Sequence, residues 1–176
     1  SRGLGDVYKR QDIDSIQKIE VLEGYTIPTL NEVLDLIKGR IFVNIELKGS
    51  QTAIKTNEIL NNYLKNNLWS SDKFLISSFD WDELKIFRKV NQKVPVAVIT
   101  EDDPLDAIPV ALELNAVAIN PDYKTLNSTN IKKIKEKKLK IYPWTVNEID
   151  DINMMIDFQV DGIITDFPDR IPKPIN

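Results

Sequence analysis

Asn44-Ile45-Glu46-Leu47-Lys48 is the stretch from which the fold can be worked out. Side chains alternate along a strand, so Asn44, Glu46 and Lys48 share one face and Ile45 and Leu47 the other. A carboxylate and an ammonium at the end of a buried strand are costly unless they bind something. A metal ion or an anionic ligand at that end meets the cost.

Working outward, the chain alternates strand and helix. The apolar runs predict strands at 41–47, 74–79, 94–99, 116–120, 139–144 and 162–165, with helices around 51–67, 81–90, 104–114, 128–137 and 147–158. The strands are short, apolar on both faces and rich in Ile and Val, as suits strands covered by helices. This order argues for a parallel sheet of right-handed βαβ units. Later repeats of roughly 20–25 residues suit a (β/α)8 barrel better than an open doubly wound sheet. No glycine-rich phosphate loop follows any strand, which counts against a dinucleotide fold. The expectation is an α/β chain forming a partial TIM barrel of about six βα units, with the first two strands of the eight missing.

The N-terminal side divides into segments. Residues 1–11 back-translate into a transposase library adapter with its mosaic end, and are expected to be an adapter-derived scar that lies outside the fold. The native chain is then expected to continue upstream. Residues 12–26 lack periodicity and read as a linker, 27–170 as the truncated barrel, and 171–176 as a tail. Thr29 reads as a helix N-cap with Glu32 completing a capping box; Leu30, Val33, Leu34 and Ile37 form the apolar stripe, and Gly39 ends the helix.

Composition narrows the function. A chain of 176 residues, 42% hydrophobic and 28% charged, supports one domain with a core. The net charge of −4 gives no reason to expect nucleic acid or an anionic membrane surface. No apolar run approaches the roughly 18 residues of a spanning helix. Cysteine is absent, so disulfides and thiolate metal sites are excluded. Histidine is also absent, which removes the usual neutral-pH proton carrier.

In barrels of this class the chemistry lies where strands end and helices begin. Those ends carry Glu46 and Lys48, Ser77-Ser78-Phe79-Asp80, Thr100-Glu101, Asn120-Pro121, Trp144-Thr145-Val146-Asn147 and Thr165-Asp166. Glu46 suits a hard cation such as Mg²⁺ or Ca²⁺, and Lys48 a phosphate. A structural ion pair is the even alternative. A Schiff-base role for Lys48 is disfavoured, because a carboxylate two residues away raises the lysine pKa. Trp144 and Phe79 read either as walls of a pocket or as core aromatics, and Trp69 and Trp81 as packing residues. Thr145, Asn147 and Asp166 read as helix or turn caps. The lysines between 132 and 140 read as a solvated helix face.

These pieces, in this order, resemble the glycerophosphodiester phosphodiesterase family. The resemblance runs from Ile27-Pro28-Thr29-Leu30 through Asn44–Lys48, Ile76-Ser77-Ser78-Phe79, Ala118-Ile119-Asn120-Pro121 and Trp144-Thr145-Val146-Asn147 to Asp161-Gly162-Ile163-Ile164-Thr165-Asp166-Phe167-Pro168. It implies a barrel that hydrolyses glycerophosphodiesters to glycerol 3-phosphate and an alcohol, in lipid metabolism, with a divalent cation (Mg²⁺ or Ca²⁺) held by acidic residues. By the same resemblance Glu46 is a metal ligand, Lys48 a catalytic, phosphate-facing lysine, and Trp144 and Phe79 substrate-binding aromatics. The family's His-Arg-Gly strand, Glu-x-Asp pair and His-Asp segment have no counterpart here.

Phosphodiester hydrolysis needs a general base and a general acid, so the 176-residue chain is expected to be inert although its parent is an enzyme. The alternative is a non-catalytic barrel that binds a phosphorylated ligand or partner. A phosphatidylinositol-type phospholipase barrel is a weaker third. The partner expected is a small glycerophosphodiester. The sequence leaves compartment, oligomeric state and the alcohol of the substrate open.

Overall fold

The Asn44–Lys48 stretch enters the structure as the end of an edge strand of a parallel sheet and the start of the loop after it: the strand expected at 41–47 stops at Glu46, and Lys48 lies in the loop. The structure is a computed structural model; it describes residues 13–21, 24–66 and 68–172. In chain order the elements are α1 (Ile13–Ile16), β1 (Glu20–Val21), β2 (Tyr25–Thr26), α2 (Leu30–Ile37), β3 (Val43–Glu46), α3 (Thr52–Tyr63), β4 (Phe74–Ser78), α4 (Trp81–Val90), β5 (Val96–Thr100), α5 (Ile108–Glu113), β6 (Ala118–Pro121), α6 (Ser128–Glu136), β7 (Lys140–Ile141) and α7 (Ile149–Asp157). Strands β3-β4-β5-β6-β7 form one sheet in sequence order, each neighbouring pair parallel. Strand order that follows chain order, with a helix in each connection, is the repeat of a (β/α) barrel.

The two faces of the sheet differ. Ile76, Val96, Val98, Ile119 and Ile141 face the helices and pack with Leu60, Leu84, Phe87, Ile134, Ile152 and Met155 in one buried core. Val43 and Ile45 pack against that core from β3. The opposite face carries only a small cluster of Leu75, Ala97 and Ala118, with Tyr142 against it. Glu46 is in register with Ser77, and Ile99 with Asn120. Residues in register share a face, so Asn44 and Glu46 lie on the same inner face as Leu75 and Ser77.

Helix starts follow from local chemistry. In α2, Thr29 Oγ1 accepts from the Glu32 amide (3.3 Å), and the Thr29 amide donates to Glu32 Oε2 (2.7 Å), the expected capping box. Gly39 ends this helix at φ +67°, and a Cβ there would sit 1.8 Å from the Leu68 carbonyl oxygen. Asp80 caps α4 and Asn127 caps α6 through their side chains.

Two expectations change. The strand expected at 139–144 contracts to Lys140–Ile141, and 162–165 is not a strand, although its backbone runs beside 141–146. Asp161 N donates to Ile141 O (3.1 Å), Ile164 N to Pro143 O (2.9 Å) and Val146 N to Ile164 O (2.9 Å). Pro143 has no amide to give, and Gly162 lies so close to Tyr142 that a Cβ would approach its ring carbon to 2.9 Å. The ladder is therefore interrupted rather than absent.

Within the segment expected to be a linker, residues 13–16 are helical, and Glu20–Val21 pairs antiparallel with Tyr25–Thr26. Residues 1–11, expected to be an adapter-derived scar, and residues 173–176 of the expected tail lie outside the described residues. Among the described residues no helix is long and apolar enough to cross a membrane.

Candidate functional site

The site is built from the carboxyl ends of β3, β4, β6 and β7. Lys48 Nζ lies 3.3 Å from Glu46 Oε2, forming an ion pair. The Lys48 side chain is 60% exposed and that of Glu46 28%, so the pair sits at the rim and not in the core. The rim position removes most of the desolvation cost that a buried pair would carry, and leaves the ammonium within reach of a ligand.

An aromatic pair lies along the same end of the sheet. Phe79, just past β4, meets Trp144, just past β7, edge to face, with centroids 5.2 Å apart and planes at 81°. Two strands separate β4 from β7. In a flat sheet their backbones would lie about 14 Å apart at the usual strand spacing. The contact therefore reflects a sheet curled around its inner face, as in a barrel wall. Trp144 is fixed from β6: its Nε1 donates to the Asn120 carbonyl (2.8 Å), and its amide to the Pro121 carbonyl (3.0 Å). Phe79 remains 43% exposed.

Below these groups the inner face carries buried polar side chains. Ser77 Oγ and both amide atoms of Asn120 are buried without a protein hydrogen-bond partner. Sequence reading placed both residues at strand ends but gave them no role; alternation marks their face, and only register shows that both look inward.

Asn147 and Asp166, two of the residues read as caps, pair with each other. Helix α7 has Glu148 at its N-cap, with no side-chain capping bond. Asn147 Nδ2 donates instead to Asp166 Oδ2 (2.9 Å), while Asn147 Oδ1 accepts from the Asp166 amide (3.0 Å) and from Thr165 Oγ1 (3.2 Å). Arg170 Nη1 donates to the Asn147 carbonyl (2.7 Å). An asparagine amide both donates and accepts, which lets Asn147 tie the last segment to the turn after Trp144. Trp69 is a packing residue, stacked on Phe74 at 4.6 Å. Trp81 packs against the core and its Nε1 donates to the Ile99 carbonyl (3.0 Å).

The lysine run lies on the outer layer. Ile131 and Ile134 are buried while Lys132, Lys133, Lys137 and Lys138 are exposed, and Lys135 Nζ donates to the Gln159 carbonyl (2.6 Å). A cleft of about 540 Å³ between α6 and α7 is lined by Ile131, Lys132, Lys135 and Phe158 among others, all of them on the helices or at their ends. None of its lining residues belongs to the Glu46–Lys48 and Phe79–Trp144 site.

A hard divalent cation is held by about six or more oxygen ligands, of which Mg²⁺ typically draws one or two from carboxylates and the rest from water and phosphate. Among the described residues no group of three or more His, Cys, Asp or Glu side chains lies together to hold one. Glu46 provides one carboxylate, and by itself that is not a metal site.

Comparison with known proteins agrees with this geometry. The model of the glycerophosphoryl diester phosphodiesterase family matches residues 7–170. A glycerophosphodiester phosphodiesterase of Caldanaerobacter subterraneus subsp. tengcongensis is 30% identical over 154 residues, covering 86% of this chain and 63% of that protein. One from Bacillus subtilis is 27% identical over 164 residues, covering 85% and 54%. An Oleispira antarctica phosphodiesterase, solved with the product sn-glycerol-3-phosphate, superposes with a TM-score of 0.79 at 19% identity, over 92% of this chain and 68% of that one. The chain thus spans less than two thirds of the length of these two curated relatives. The structural likeness shows a shared fold, and the match over residues 7–170 shows the family: the chain belongs to the glycerophosphoryl diester phosphodiesterase family.

Proposed function

We propose that this chain supplies the phosphate-binding and aromatic side of a site that hydrolyses glycerophosphodiesters to glycerol 3-phosphate and an alcohol. The observation that carries the reading is the Glu46–Lys48 pair, at the end of the β3 strand whose Glu46 faces inward, on a sheet whose ends also bring Phe79 against Trp144. Lys48 would meet the phosphate as a point charge. The exposed face of Phe79 and the Trp144 indole would border the carbon skeleton of the glycerol. Glu46 would orient the Lys48 ammonium, and where a divalent cation binds it would act as one ligand among others. Such an ion would neutralise phosphate charge.

The chain's own residues bind and orient but include no imidazole, the usual proton carrier near neutral pH: there is no histidine. For the 176-residue chain acting alone, binding of a phosphorylated ligand without turnover is therefore the reading that fits its side chains. Calorimetric titration of sn-glycerol 3-phosphate into wild type, Lys48→Gln and Lys48→Arg tests it. Binding that Lys48→Gln weakens strongly but measurably and Lys48→Arg partly keeps supports it; affinity indifferent to Lys48 rejects it.

A further inference from the structure

Glu83, in the first turn of α4, is 4% exposed. A glutamate is almost never this buried unless paired, and among the described residues no ion pair reaches it. Its partners lie in the preceding βα unit. Oε1 accepts from the Gln51 amide (2.6 Å) and Oε2 from the Ala53 amide (2.9 Å), with Thr52 Oγ1 at 3.5 Å. These are the orphan donors at the start of α3. Gln51, the N-cap residue, gives no side-chain cap and has φ +66°. The carboxylate of a neighbouring helix therefore caps α3, where the helix dipole also favours a negative charge.

The loop so capped carries Lys48. Its start is fixed from β4: the Leu47 amide donates to the Ser77 carbonyl (2.8 Å), and Ser78 Oγ donates to the Leu47 carbonyl (2.6 Å). Its end is fixed by Glu83 at Gln51 and Ala53, and Thr52 Oγ1 donates to the Gly49 carbonyl (2.6 Å) between them. Lys48 thus lies between two anchors, only one of which belongs to the sheet.

We propose that Glu83 is a positioning residue: through the amides of Gln51 and Ala53 it holds the Lys48 loop, and so sets where the Lys48 ammonium meets a phosphate. The proposal rests on the phosphate-binding reading of Lys48. A glutamine at position 83 can accept from one amide but turns an N–H₂ toward the other, so Glu83→Gln breaks the cap with little change in volume.

The test uses the whole chain and two readouts. Amide hydrogen exchange of Gln51 and Ala53 is expected to accelerate in Glu83→Gln while the amides of β5 and β6 stay protected. Affinity for sn-glycerol 3-phosphate is expected to fall about tenfold in Glu83→Gln, and by little or nothing when the same change is made in Lys48→Gln, because the two residues act as one unit. Glu83→Asp, which keeps both oxygens, is expected to recover part of the loss. Unchanged exchange at Gln51 and Ala53, or a loss that simply adds to that of Lys48→Gln, overturns the proposal. Accelerated exchange at Gln51 and Ala53 in Glu83→Gln, together with a wild type that binds no glycerol 3-phosphate, overturns the phosphate-binding reading while the cap itself stands; the exchange readout separates the two failures.

Discussion

The ring of Phe79 meets that of Trp144 at 5.2 Å although β5 and β6 lie between the strands that carry them. This contact measures how far the sheet curls. Aromatic pairs of this geometry couple by about 0.5–1.5 kcal/mol. A double-mutant cycle of Phe79→Ala and Trp144→Ala, read by urea denaturation, is expected to return a coupling in that range. A coupling of zero would mean that the sheet is flatter than described here.

Arg88 ties α4 to the sheet and to the next helix. Its Nε donates to the Leu114 carbonyl (2.8 Å), and Nη1 to the Asn91 and Val94 carbonyls (both 3.1 Å). Partial burial holds the guanidinium pKa below its ordinary value, yet it remains charged. Arg88→Met is expected to cost about 2–3 kcal/mol, since three carbonyls lose a charged donor. Arg88→Lys should recover little, because a point ammonium lacks the fork. Denaturation midpoints at constant m-value provide the check.

Tyr63 joins α3 to α2, its hydroxyl donating to Asp35 Oδ1 (2.8 Å) beside the Asn31 carbonyl (3.0 Å). Lost hydration, with Asp35 as hydrogen-bond partner and like charge, raises the phenol pKa from 10.0 to about 12. The folded state therefore holds this proton more tightly than the unfolded state. Its contribution is fully present below pH 10 and is lost as pH rises through about 12. The stability difference between wild type and Tyr63→Phe is expected to be constant below pH 10 and to fall above it. A difference that grows with pH would reverse the sign.

The absence of histidine leads to a test of turnover. The purified 176-residue chain is expected not to hydrolyse glycerophosphocholine, with or without added Mg²⁺ or Ca²⁺. EDTA-sensitive release of glycerol 3-phosphate would show that the present side chains suffice for proton transfer.

How far the sequence could be read depends on the range of the interactions. Strands β4 and β5 are fully buried and open on apolar runs, and α4 starts at an Asp80 cap; local pattern alone announces them. The capping box of Thr29 and Glu32 is likewise local. The broken ladder at 162–165 arises from Pro143 and Tyr142, some twenty residues earlier, and no local pattern reports it. Glu83 reads as an ordinary acidic first-turn residue, because its partners at Gln51 and Ala53 lie 32 and 30 residues away. Asn147 reads as a cap for the same reason: its partners, Thr165 and Asp166, are distant in sequence. Glu46 and Lys48 were legible because two charges two residues apart at the end of an apolar run are themselves a local anomaly.

The most direct measurement is an amide and side-chain NMR titration of the wild-type chain with sn-glycerol 3-phosphate. Saturable shifts at Glu46, Lys48, Phe79 and the Trp144 indole N–H are the expected result. Saturable shifts confined to the α6 lysines Lys132, Lys133 and Lys135, or no shifts at all, would contradict it.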